Sequence, residues 1–267
     1  MTMNKPWTVL TIRAQKGQKK IACVTAYDYS SARLADEAGI PLILVGDSLG
    51  MTVLGFESTL PVTMDEMLHH TRAVSRAVRQ AMVVADMPFL SYQGSEDEAL
   101  INAGRFLKEA GADAVKVEGG AVRVELIQRM VANGIPVQAH LGLTPQSVNA
   151  FGGFKVQGKT EQAAERLRKD AKDLADAGAF SLVLECIPQK LAADITASIS
   201  IPTIGIGAGP GCDGQVLVWH DLLGLYHGQQ PRFVKRYAEL GTEISRALTG
   251  YREEVEQGRF PTEEHGY

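Results

Sequence analysis

Cysteine is scarce in this chain: Cys23, Cys186 and Cys212 are the only three among 267 residues. No CxxC pair occurs and the count is odd, so neither a disulfide framework nor a cysteine zinc site is indicated. The three read as small buried hydrophobes, with Cys23 and Cys186 in strand-like segments. No run of ~18 apolar residues exists, which leaves no candidate for a membrane-spanning helix. The opening MTMNKPWTVLTIRAQKGQKK lacks the apolar core of a secretory signal. No block of like charge is long enough for an interaction tail. A net charge of −4 gives no basic footprint for nucleic acid. Low-complexity segments and Pro/Ser-rich linkers are also missing, so nothing marks a domain boundary. These absences predict a reduced, cytoplasmic setting with no membrane or nucleic-acid partner.

What remains is an ordinary globular composition, 45% hydrophobic and 22% charged. The length suits one α/β barrel of ~250 residues, which buries roughly three quarters of its unfolded surface. One pattern recurs in DEAGIPLILVG, EAGADAVKVEG, ANGIPVQAH and DAGAFSLVLE. A helix stops at Gly39, Gly111, Gly134 or Gly178, and a short apolar strand begins a few residues later. Glycine past a helix end is the left-handed stop. Strands apolar on both faces suit a buried parallel sheet. Capping boxes are predicted at Thr63 with Glu66 and at Ser95 with Glu98. Apolar stripes (Ala99, Leu100, Ala103, Leu107, Ala110; Ala163, Ala164, Leu167, Ala171, Leu174, Ala175) are core-facing helix surfaces.

Strands are predicted near 21–26, 42–46, 82–86, 114–118, 136–140, 181–185 and 202–206, with an eighth near 216–219 that could instead be helical. Alternating strand and helix without a composition break favours one (β/α)8 barrel over residues 1–267, with terminal helices after about 229. An open doubly wound sheet is the alternative.

Asp47, Asp86, Glu118 and Glu185 each stand at or just past the end of an apolar strand, and His140 lies at the same level. In a barrel these side chains gather at the C-terminal face, where barrel active sites lie. Four carboxylates buried together without a cation would force some to protonate. Oxygen donors favour a hard cation, Mg²⁺ over Zn²⁺. Each acid alone could also cap a helix or pair with a base. His140 could ligate, or bond a substrate or a neighbouring acid. Lys116 lies two residues before Glu118 and points the same way, as a salt-bridge partner or as an anchor for a substrate carboxylate. The glycine-rich GIGAGPGCDG (205–214) lacks the βαβ context of a dinucleotide fingerprint and reads as a flexible wall of the site. His69 and His70, adjacent on a helix, do not make a metal pair. The stretch 143–159 reads as a long loop of the kind that forms lids.

Several long blocks resemble the ketopantoate hydroxymethyltransferase family: VTAYDYSSARLADEAG, LVGDSLGMTVLGFESTLPVT, VKVEGG, HLGLTPQSVNAFGGFKVQGK, LVLECIP, IGIGAGPGCDGQVLVWHDLLGL and the ending GRFPTEEH. The resemblance spans roughly residues 8–265. It implies a (β/α)8 TIM barrel of the phosphoenolpyruvate/pyruvate type, assembled as a homo-oligomer of eight or ten subunits. It implies transfer of a hydroxymethyl group from 5,10-methylenetetrahydrofolate to 3-methyl-2-oxobutanoate, giving 2-dehydropantoate for pantothenate and coenzyme A. It places Asp47, Asp86 and Glu118 around one Mg²⁺ per subunit, directly or through water. It places Asp47, Ser48, Asp86, Lys116 and His140 about the 2-oxo acid, with Glu185 as the base. A Mg²⁺-dependent aldolase or lyase on the same barrel and a non-catalytic binding protein are the competing expectations.

Overall fold

A computed structural model describes residues 6–225 and 230–267; the first five residues of the opening stretch lie outside them. Eight parallel strands close in sequence order into a barrel: β1 (Ile21–Thr25), β2 (Leu42–Val45), β3 (Met82–Asp86), β4 (Ala114–Glu118), β5 (Val137–Gly142), β6 (Ser181–Glu185), β7 (Thr203–Ile206) and β8 (Gly214–Leu217). The open sheet is thereby ruled out. β8 begins two residues earlier than the sequence suggests, because Gly214 is a strand residue and not part of the turn. A Cβ there would lie 2.4 Å from the Ile21 carbonyl oxygen, so only glycine lets β8 close against β1.

The main outer helices are α1 (Tyr29–Glu37), α2 (Met64–Ala77), α3 (Glu96–Ala110), α4 (Val124–Ala132), α5 (Glu161–Asp176) and α6 (Gln189–Ser198). Gly39, Gly111, Gly134 and Gly178 all take positive φ, as the repeated helix stop requires. The Thr63–Glu66 capping box forms in both directions. At Ser95 only one half forms, with Ser95 accepting from the Glu98 N–H. The barrel interior is filled by Ile21, Cys23, Leu42, Leu44, Met82, Val84, Ala114, Val183, Ile204 and Val216. Cys23 is therefore core, as expected. Cys186 is not a strand residue: it follows β6, is half-buried, and holds φ +47.

The chain falls into two compact units, Met1–Val218 and Trp219–Tyr267. The second contains α7 (Leu240–Glu256). Its residues Leu240, Ile244, Leu248, Tyr251 and Val255 are all exposed and recur at helical spacing on one side.

Candidate active site

The C-terminal ends of β2 to β6 bring the predicted residues together. Strand register sets Asp86 beside Lys116, and Glu118 beside His140. Gly142 is paired with Glu185. Its φ is +99, and a Cβ there would sit 2.1 Å from the Glu185 carbonyl oxygen. Glycine thus lets β5 approach β6 closely enough for the Leu143 N–H to bond that oxygen at 2.8 Å. Asp47, Asp86, Lys116, Glu118 and His140 are all buried, and Glu185 stands at the rim.

Lys116 sits inside the acidic group. Its Nζ lies 3.2 Å from Asp86 Oδ2, 3.7 Å from Glu118 Oε1 and 3.1 Å from His140 Nδ1. The salt-bridge reading of Lys116 is therefore realised in the protein as it stands. Burial works most strongly against its charge, but Asp86, Glu118 and Asp47 outweigh burial and hold the ammonium charged. His140 Nε2 lies 3.2 Å from Glu185 Oε2, poorly aligned for a hydrogen bond. Burial, the largest influence, and the Lys116 ammonium favour a neutral ring. Glu118 and Glu185 outweigh them and raise His140 to about 9. The neutral ring that accepts from Lys116 through Nδ1 and the protonated ring both carry the proton on Nε2, facing Glu185.

The carboxylates differ in their support. Burial, then Asp86 and Glu118, push Asp47 well above the usual carboxyl range. Burial also raises Asp86, against the pull of Lys116. Glu118 is held low: burial opposes, but His140, Lys116 and the Gln146 N–H together prevail. Asp86 Oδ1 and Glu118 Oε1 are buried with no hydrogen-bond partner. Among the described residues no three His, Cys, Asp or Glu side chains converge as a direct metal cage. Orphaned hard oxygens on an over-acidic cluster nevertheless fit Mg²⁺, which keeps several of its waters and takes only one or two carboxylates directly.

Ser48 Oγ is 2.9 Å from Tyr27 Oη, which accepts from Thr25 Oγ1 at 2.8 Å. A cavity of about 100 Å³ is lined by Thr25, Ser48 and the charged cluster together with Leu44, Val183, Ile206, Val216 and Val218.

Other predicted features take different roles. The 205–214 loop is packed: a Cβ on Gly209 or Gly211 would come 2.5 Å from Gln189 or 2.7 Å from Ala193 on α6. Its glycines serve close packing, not an open wall. His70 Nδ1 is engaged at 2.6 Å with the Tyr27 carbonyl oxygen. The 143–159 stretch contains a 3-10 turn (Pro145–Ser147) and a helical turn (Val148–Phe151). That turn supplies Gln146, which the sequence reading did not single out. Gln146 bonds Asp47 through its side chain and Glu118 through its main chain. Its only sequence signal is position, six residues past His140 in the loop that follows β5.

Two solved structures share the fold over most of their length. A 2,3-dimethylmalate lyase, described as a PEP mutase/isocitrate lyase superfamily member, matches with TM-score 0.61 at 18% identity, over 97% of this chain and 91% of the other. The phosphoenolpyruvate phosphomutase of Streptomyces platensis subsp. rosaceus matches with TM-score 0.61 at 16% identity, over 94% and 88%. The chain thus has the closed (β/α)8 barrel fold of these structures. The sequence profile of ketopantoate hydroxymethyltransferase matches residues 6–263. The 3-methyl-2-oxobutanoate hydroxymethyltransferase of Carboxydothermus hydrogenoformans is 60% identical over 97% of this chain and 95% of its own. The Thermotoga neapolitana protein of the same name is 59% identical over 95% and 94%. This chain belongs to the ketopantoate hydroxymethyltransferase family, and it is a transferase.

Proposed function

We propose that the protein transfers a hydroxymethyl group from 5,10-methylenetetrahydrofolate to 3-methyl-2-oxobutanoate, giving 2-dehydropantoate for pantothenate synthesis, in the cytoplasm. The observation that carries this is the mainly apolar cavity of about 100 Å³, with the charged cluster in its wall, at the mouth of a barrel from this family. Its size suits a small 2-oxo acid. Its carboxylate and keto oxygens would face Lys116 and the acidic cluster, and its branched alkyl end would face Leu44, Val183, Ile206 and Val216.

Asp47, Asp86 and Glu118 would hold one Mg²⁺ per subunit, in part through water. When bound, the cation supplies Lewis-acid stabilisation of the charge that grows on the keto oxygen. Lys116 offsets the substrate carboxylate as a point charge. Glu185, at the rim, accepts the proton from C3, and the electron pair left behind bonds to the folate-borne carbon; that carbon's two bonds to the folate nitrogens break, one water supplies the hydroxyl, and tetrahydrofolate leaves. His140 faces Glu185 with Nε2 at 3.2 Å and acts on that carboxylate through its charge. Ser48, held by Tyr27, offers a hydroxyl to the acid. The folate is too large for this cavity. A cleft of about 450 Å³ bounded by Phe89, Tyr92 and Arg123 shares Glu118 as a wall and has aromatic faces for a ring system. The exposed apolar side of α7 supports a homo-oligomer that covers it, expected as eight or ten subunits by light scattering.

The test isolates proton abstraction. With no folate present, the C3 hydrogen of 3-methyl-2-oxobutanoate should exchange with deuterated solvent on the wild-type protein, followed by NMR. Glu185→Gln should slow that exchange by ~10²–10⁴-fold while still binding the acid. Wild-type exchange in the variant would remove Glu185 from the role of base.

A further inference from the structure

We infer that Gln146 is the positioning residue of the acidic cluster: it holds Asp47 and Glu118 in one arrangement for a divalent cation. The inference rests on the cation reading above. Gln146 is buried in the turn after β5, yet its bonds reach the ends of three other strands. Its main-chain N–H donates to Glu118 Oε2 at 3.1 Å. Its Nε2 donates to Asp47 Oδ2 and to the Met87 carbonyl oxygen, each at 2.9 Å. Its Oε1 accepts from Tyr92 Oη at 2.7 Å and from Gln93 Nε2 at 2.8 Å.

The amide cannot be turned round. Met87 offers only a carbonyl oxygen, and Asp47 offers a carboxylate. Tyr92 Oη already accepts from the Glu118 N–H at 3.0 Å, so its own proton is free to go to Gln146. All four side-chain bonding positions are filled in the only orientation that satisfies every partner. A buried, fully satisfied amide is a rigid point. Here it joins two cation-side carboxylates that the strand order keeps on β2 and β4, with β3 between them. Lys116 and His140 also face Glu118, but the Asp47 carboxylate is tied to it through Gln146. Groups that orient metal ligands typically cost 10–100-fold in metal affinity when changed.

The experiment titrates Mn²⁺ alone, by calorimetry, into the full-length wild type, Gln146→Met, Gln146→Ala and Tyr92→Phe, with thermal unfolding measured in parallel. Methionine keeps the length, the volume and the main-chain N–H, and removes only the amide. Both Gln146 variants should bind Mn²⁺ about 10–100-fold more weakly, and Tyr92→Phe should be weakened less. A Gln146→Met protein with wild-type affinity would show that Gln146 only fills space and would overturn the inference. Absence of Mn²⁺ binding to the wild type would overturn the cation reading, and the inference with it. Wild-type binding with all variants unchanged would overturn the inference alone. Should neither Gln146 variant fold, Tyr92→Phe decides: weakened Mn²⁺ binding supports the positioning role, and an unchanged dissociation constant refutes it.

Discussion

At the N-terminal end of the barrel, Asp36 accepts main-chain N–H bonds from Arg79, Gln80 and Ala81 at 2.7–2.9 Å. Asp113 accepts from Val83 at 2.8 Å. Asp213 accepts from Thr203 and Gly17 and pairs with Lys16 at 2.9 Å. At the opposite end, Asp86 has one main-chain donor, from Asp47, and keeps one oxygen with no hydrogen bond. Asp36 and Asp213 are as buried as Asp86, and Asp113 is half-buried. The difference is the supply of N–H donors. A carboxylate satisfied by the backbone clips two segments of chain together. A carboxylate left short of donors among other carboxylates lowers stability, and natural proteins accept that mainly where a site requires it.

Substitution at each end should therefore fail in a different way. The largest effect is expected from Asp86→Ala. Turnover and Mn²⁺ binding should each fall by at least about 100-fold, while the thermal midpoint of the metal-free protein stays nearly level, because relief from the neighbouring carboxylates Asp47 and Glu118 offsets the lost contact to Lys116. A drop in that midpoint would break the contrast. Asp36→Ala should do the reverse. Three N–H groups lose their acceptor, for about 3 kcal/mol of stability, or roughly 6–12 °C in Tm for a chain this size. Turnover per folded molecule should be unchanged.

The smallest effect sharpens the contrast by pH. Burial favours a protonated Asp213, but Lys16 and the Thr203 and Gly17 N–H groups together hold it below the ordinary carboxyl value. A lowered folded-state pKa contributes stability that is complete above the unfolded value near ~3.9 and is lost as pH falls through the folded value. Asp213→Asn should cost about 1–2 kcal/mol at neutral pH. The gap in urea midpoint between wild type and variant should close as pH drops from about 5 to 2. A constant gap would mean that the charge of Asp213 contributes nothing.

Much of this was legible in the sequence, because period and punctuation carry it. Apolar runs such as LILV and MVVAD, each preceded by a helix stop, locate the strands, and parallel topology then fixes which ends converge. Asp47, Asp86, Lys116, Glu118, His140 and Glu185 follow from that geometry. Gln146 did not, because an uncharged amide in a loop has no periodic signal and its five partners are spread along the chain from Asp47 to Glu118. The division between clip and site carboxylates was also hidden. Asp36 ends a helix turn and Asp113 precedes a strand, so sequence gives the position but not the count of donors. Gly209 and Gly211 read as a flexible wall in the sequence, where what they supply is the absence of a Cβ against α6.

Lys116 has one more consequence. An ammonium set among Asp86, Glu118 and His140 gives the mouth of the barrel its own resident counter-charge. In small zinc modules the chain cannot fold until its ion arrives. Here the nascent chain brings a cation of its own on β4, so the barrel can close around its acidic residues in an ion-starved compartment and wait. With the proposed Mg²⁺ site, maturation would separate into folding first and loading later, and a chelator would remove the ion without melting the protein.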